Sequence, residues 1–166
     1  MPTRVLGIDP GIAMMGYGLI EDNNGKLEAV EYGCLSTPAK QAMPERLRTL
    51  YRGLTDIIEQ HRPSEVVVEL FVARNLRTAL TVGQARGIAI LAAANKDIPV
   101  YEYTPLEVKQ RVCGYGRGDK RQIQEMVKIQ LGLQSIPEPD DAADALAAAI
   151  CHLSVSHLSE MIARGR

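Results

Sequence analysis

The stretch Leu6-Gly7-Ile8-Asp9-Pro10-Gly11 places a carboxylate where an apolar run gives way to a glycine turn. Val5, Leu6 and Ile8 make the run apolar enough for a central strand, and Pro10 and Gly11 stop it at once. An aspartate at such a strand end can hold a cation. Asp-x-Gly also marks phosphate-binding loops and plain strand ends, so distant residues must decide its meaning.

Working outward, Gly16-Tyr17-Gly18-Leu19-Ile20-Glu21 resumes as a second strand, and Asp22-Asn23-Asn24-Gly25 is a turn signal before a third, Lys26 to Ser36. These three strands read as a meander. Thr37 to Met43 is a polar connection, and Pro44 opens a helix whose apolar positions Leu47, Leu50, Tyr51, Leu54, Ile57 and Ile58 recur at three and four. Glu65-Val66-Val67-Val68-Glu69-Leu70 is short and β-branched, which predicts a buried fourth strand with a second acid, Glu69, at its end.

Leu76 through Lys96 is helix-forming, with Gly83 and Gly87 beside Ala79, Ala85, Ala89 and Ala92, a face able to approach another helix or strand closely. Both intramolecular packing and a seam between two copies fit it. Pro99 to Tyr103 reads as a fifth strand, and Pro105 to Arg111 as a helix. The glycine-punctuated loop Gly114 to Gly118, expected to be mobile, leads to Asp119, an N-cap for a basic helix running to Leu131. After Pro137 and Pro139, Asp140 or Asp141 is expected to cap a long alanine-rich helix reaching about Ala163.

With 166 residues the chain is most simply one domain with a sizeable core. The cysteines Cys34, Cys113 and Cys151 are odd in number and form no CxxC pair, which suits a reducing cytosol and disfavours structural zinc. No charged-apolar-small leader opens the chain, and apolar runs such as Ile88 to Ala94 are too short to span a bilayer. A cytoplasmic protein without a membrane partner is expected.

The net charge of −1 hides an asymmetry: residues 1–73 carry 7 basic and 10 acidic side chains, residues 74–128 carry 10 and 5, and residues 129–166 carry 2 and 5. An acidic metal pocket beside a basic surface would suit a nucleic-acid partner. Ordinary solvated helix surface gives the same count.

Asp141 and Asp144 stand three apart in the first turn of the final helix, so their carboxylates share a face. Such a pair often serves only the helix end, by capping and charge–dipole attraction. In combination with the strand-end Asp9 and Glu69 it offers four hard oxygen donors, a set suited to magnesium or manganese.

These residues carry a resemblance. Gly7 to Gly11 with Gly16-Tyr17-Gly18, Val82-Gly83-Gln84-Ala85-Arg86-Gly87, Glu107-Val108-Lys109-Gln110, Gly114-Tyr115-Gly116-Arg117 and Asp141-Ala142-Ala143-Asp144-Ala145-Leu146 together resemble the RuvC-type Holliday junction resolvases, over essentially the whole chain. The resemblance implies a ribonuclease H-like α/β fold, a five-stranded mixed sheet flanked by helices. It implies that Asp9, Glu69, Asp141 and Asp144 form a catalytic metal-binding tetrad, with Lys109 and Lys120 at basic positions important for cleavage. The implied chemistry is phosphodiester hydrolysis with two Mg²⁺ ions per site, Mn²⁺ being an alternative.

The implied substrate is four-way junction DNA, cut symmetrically by a homodimer, and the implied partners are the RuvA and RuvB branch-migration proteins. Leu76 to Lys96 is the candidate dimer segment. Phosphate contacts are expected from Arg74, Arg77, Lys109, Arg117 and Lys120, with Arg111 and Arg121 as further basic positions. His61, His152 and His157 have no acidic neighbours at ligand spacing and read as structural or solvent-facing.

The chain departs from the family pattern at two places. Met15 stands where the family usually has threonine, and a local packing change is expected. Glu69-Leu70-Phe71 is one residue shorter than the usual glutamate-to-phenylalanine spacing; counting from Pro63 leaves the glutamate at Glu69 and puts the shortening after it. Phe71 is then either a base-stacking aromatic or a core residue at a strand end.

Two rival readings remain at this level. An actin-like kinase or ATPase shares the Asp-x-Gly turn but needs a second phosphate loop and usually a longer two-lobed chain. A non-catalytic junction-binding protein would keep the basic surface and use its acids only as caps.

Overall fold

The computed structural model describes residues 2–71, 73–114 and 118–165. Strands β1 (Thr3–Asp9), β2 (Met14–Asn23), β3 (Lys26–Ser36), β4 (Glu65–Glu69) and β5 (Val100–Tyr103) form one sheet in the order β3-β2-β1-β4-β5. The first three strands are the antiparallel meander, and β4 and β5 add in parallel beside β1. The β2–β3 turn places Asn24 and Gly25 at φ of 54° and 93°, which the Asn-Gly pair tolerates better than other residues.

Helices α1 (Met43–His61) and α2 (Leu76–Ala94) follow β3 and β4, and α3 (Pro105–Cys113), α4 (Lys120–Gln130) and α5 (Asp140–Arg164) follow β5. Alternation along the strands separates two cores. Leu6, Ile8, Leu19, Val66 and Val68 pack with α1 and α2, while Val5, Ile20 and Val67 pack with α3, α4 and α5. Met15 is fully buried in the first of these cores.

Several sequence expectations shift at their edges. Strand β2 starts earlier than Gly16, β4 ends at Glu69 rather than Leu70, and α2 ends at Ala94 rather than Lys96. Asp119 does cap α4, closing a capping box with Gln122. Neither Asp140 nor Asp141 caps α5: the extended residue is Pro139, so the aspartates fall inside the first turn, where the helix dipole favours their charge. The loop residues 115–117 lie outside the described residues.

The small residues of α2 do not share one face. Ala85, Ala89 and Ala92 are buried against the sheet, whereas Ala79, Gly83 and Gly87 are exposed and a Cβ on either glycine would meet nothing within 4 Å. Helix α5 is by length and composition able to cross a membrane. Its apolar residues from Ala142 to Leu153 are instead buried, as befits a core helix.

Candidate metal centre

Asp9 and Glu69 end the adjacent parallel strands β1 and β4. Asp9 projects to the side of Val5 and Gly7, and Glu69 to the side of Glu65 and Val67, the side that α5 covers. Glycine permits α5 to lie this low. A Cβ on Gly7 would sit 2.0 Å from the Ala145 carbonyl oxygen, and one on Gly16 2.0 Å from that of Asp141.

The descent of α5 brings Asp144 to the two strand ends. One carboxylate oxygen from each of Asp9, Glu69 and Asp144 lies within 4.8 Å of the others. Asp141 is the fourth acid; it stands outside that tight group but beside Asp9, whose protonated form it helps to favour.

Crowding like charges in a half-buried corner is electrostatically costly, and the carboxyls respond by holding protons. Burial first, then the charges of Glu69, Asp144 and Asp141, push Asp9 from 3.8 up to about 9. Burial and Asp144 push Glu69 from 4.5 up to about 7, with Lys120 and Lys109 pulling the other way. Asp144 is raised as well, by burial, against the pull of Lys120. A divalent cation would relieve this repulsion, and a donor set of carboxylates alone fits Mg²⁺ or Mn²⁺ rather than a softer metal.

Lys109 and Lys120 share a cleft of about 210 Å³ with Glu69 and Asp144. Lys120 Nζ lies 3.0 Å from Asp140, whose other carboxylate oxygen accepts a 3.1 Å bond from the Gln124 amide. Arg74 and Arg77 are exposed around the start of α2 and do not line that cleft. Arg111 and Arg121 are exposed too, Arg121 lying 3.9 Å from Glu125. Arg117 lies outside the described residues. Phe71 is 54% exposed, which removes its reading as a core aromatic.

Three features escaped sequence reasoning. Asp140 was expected only as a helix cap, yet it holds Lys120; its place in a run with Asp141 was the available signal. Cys34 pairs with Gly16 across β2 and β3, and burial together with Asp141 and Asp9 raises its thiol to about 11. The carboxylate partners of the histidines are distant in sequence: His61 contacts Glu31 at 2.6 Å, His152 Glu65 at 2.6 Å and His157 Asp22 at 2.5 Å.

Comparison with known proteins agrees with this arrangement. The family model described as "Crossover junction endodeoxyribonuclease RuvC" matches residues 5–152. A protein of that name from Chloroflexus aurantiacus is 62% identical over 150 residues, covering 90% of this chain and 92% of the relative. Another from Desulfitobacterium hafniense is 59% identical over 159 residues, covering 95% and 96%. The structure described as T. thermophilus RuvC in complex with Holliday junction substrate superposes with a TM-score of 0.91 at 33% identity, covering 95% of this chain and 96% of that one. Acids gathered at two strand ends under a close-packed helix, on a five-stranded mixed sheet of the ribonuclease H-like resolvase type, thus place this chain in the crossover junction endodeoxyribonuclease RuvC family.

Proposed function

We propose that this chain is a metal-dependent endonuclease that resolves four-way Holliday junctions by paired, symmetric phosphodiester hydrolysis in homologous recombination and DNA repair. The observation that carries the reading is the convergence of Asp9, Glu69 and Asp144 within 4.8 Å, flanked by Lys109 and Lys120 in the same cleft. Asp9, Glu69, Asp141 and Asp144 are the proposed ligands. Two Mg²⁺ ions per site, or Mn²⁺, supply when bound the Lewis acidity that activates an attacking water and stabilises the leaving 3′ oxygen.

The chain's own groups do the rest. Lys109 and Lys120 draw the scissile phosphate toward the acids and offset its charge. Phe71, exposed beyond the end of β4, is proposed to stack on an unpaired base. Arg74, Arg77 and Arg117 are proposed to hold flanking phosphates, which positions the junction without reading its sequence.

Residues 1–166 act in this reading as one nuclease domain, cytoplasmic, working with RuvA and RuvB. Two copies would join through α2, where Leu76, Leu80, Gly83, Gly87 and Leu91 form an exposed apolar stripe at helical spacing. The test is incubation with a synthetic four-way junction and a linear duplex in Mg²⁺. Paired symmetric nicks in the junction alone are expected; junction binding without nicks in any divalent metal would favour a non-catalytic binding protein.

A further inference from the structure

On the α5 side of the sheet, outside the acidic corner, sits a buried polar chain that the nuclease chemistry does not use. His152 is 3% exposed, and both of its ring nitrogens are engaged. Nδ1 lies 2.8 Å from the Tyr103 hydroxyl, and Nε2 lies 2.6 Å from a carboxylate oxygen of Glu65. A carboxylate only accepts, so Nε2 donates to Glu65; in the neutral imidazole Nδ1 then accepts from the tyrosine. The Tyr101 ring covers the imidazole at a centroid distance of 4.4 Å.

The partners of His152 belong to the elements that carry metal ligands. His152 lies two turns beyond Asp144 on α5. Tyr103 is the β5 residue paired with Glu69, and its carbonyl accepts the Leu70 amide at 2.8 Å, directly after that glutamate. Glu65 opens the strand that Glu69 closes. One imidazole therefore ties the Asp144 helix directly to the start of the Glu69 strand and, through Tyr103 of β5, to its end.

We propose that His152, held by Tyr103 and Glu65, is a positioning residue that fixes α5 on β4 and β5 so that the Asp144 and Glu69 carboxylates stay within reach of one cation. The contacts of Gly7 and Gly16 set how close α5 comes to β1 and β2, while the hydrogen bonds of His152 add directional contacts to its apolar packing on β4 and β5. Directional bonds specify rotation and sliding in a way that small apolar side chains do not. The inference rests on the acidic corner being the metal site.

The test is calorimetric titration of the DNA-free full-length protein with Mn²⁺, which reads metal affinity without cleavage. Tyr103→Phe removes one hydrogen bond and no volume, and should weaken Mn²⁺ binding about threefold or more, short of the roughly 10–100-fold effect of groups bonded directly to a ligand. His152→Gln should weaken it at least as much. His61→Phe is the control, because it removes a comparable half-buried side-chain pair with Glu31 of β3, which carries no proposed ligand, and keeps the His61 carbonyl that accepts from Arg4. Its Mn²⁺ affinity should equal that of the unaltered protein.

Unchanged affinity in Tyr103→Phe, or an equal loss in His61→Phe, would overturn the positioning role. Asp9→Asn separates this from the underlying reading: if that variant binds Mn²⁺ as tightly as the unaltered protein, the metal site itself is misassigned and the inference falls with it.

Discussion

Gly16 and Asp141 touch so closely that a methyl group at position 16 would lie 2.0 Å from the Asp141 carbonyl oxygen. No rotamer change relieves that clash, because the atom in the way is backbone. Gly16→Ala should lift the first turn of α5 from β2 and carry Asp141 and Asp144 with it. A cost of roughly 1–3 kcal/mol is expected in denaturant unfolding. Single-turnover junction cleavage should fall by about 100-fold, the loss that an ångström-scale misplacement of catalytic groups can bring. Gly165→Ala, where the added Cβ comes no closer than 3.5 Å to the Met161 carbonyl oxygen, should cost little stability.

The protonation of the acidic corner links stability to pH. Asp9 titrates at about 9 in the folded, metal-free protein against 3.8 ordinarily, and Glu69 at about 7 against 4.5. Folded-state values above the unfolded ones mean that the contribution is fully present below the unfolded values and is lost as pH rises through the folded ones. Metal-free protein should therefore lose Tm between about pH 4 and 9 through these groups, and Mg²⁺ should restore it at the alkaline end. Asp9→Asn should flatten the metal-free profile, as thermal melts across that range would show.

Lys120 pulls against the upward shifts of both Glu69 and Asp144, and it is the residue Asp140 holds. Lys120→Gln should raise both carboxyls further, steepening the loss of Tm with rising pH in the metal-free protein. It should also remove one phosphate contact, lowering the log–log salt slope of junction binding by about 0.9. Fluorescence anisotropy at several salt concentrations measures that slope, and an unchanged value would place Lys120 off the DNA path.

Leu80 is 62% exposed in the middle of the α2 stripe. Leu80→Glu puts a charge into the proposed seam without touching either core. Sedimentation should show monomers that keep the native circular-dichroism spectrum, and junction nicks should lose their symmetric pairing. A Leu80→Glu protein that remains dimeric would move the seam elsewhere.

The five strands and the acids at the ends of β1 and β4 were legible because they depend on local pattern. Val5, Leu6 and Ile8 before Asp9, and Val66 to Val68 before Glu69, are runs only a strand buried on both faces needs. The direction of α2's small residues was not legible, since exposure and burial of Gly83 and Ala85 depend on which face meets the sheet. The grip of Asp140 on Lys120 and the histidine–carboxylate pairs were also hidden. They join residues that only the completed fold makes neighbours, and no spacing rule along one element reports them. The expectation of Asp140 or Asp141 as the cap failed because Pro139 takes the extended position itself.

Asp9 is where the meander, the parallel strands and α5 meet, so its carboxylate tests the account most directly. Asp9→Asn keeps the size of the side chain and removes one proposed carboxylate ligand from the corner. Mixed with a synthetic four-way junction and Mg²⁺, the variant should bind with unaltered affinity and produce no nicks. Mg²⁺-dependent, symmetric cleavage by Asp9→Asn would contradict the assignment of this corner as the metal centre.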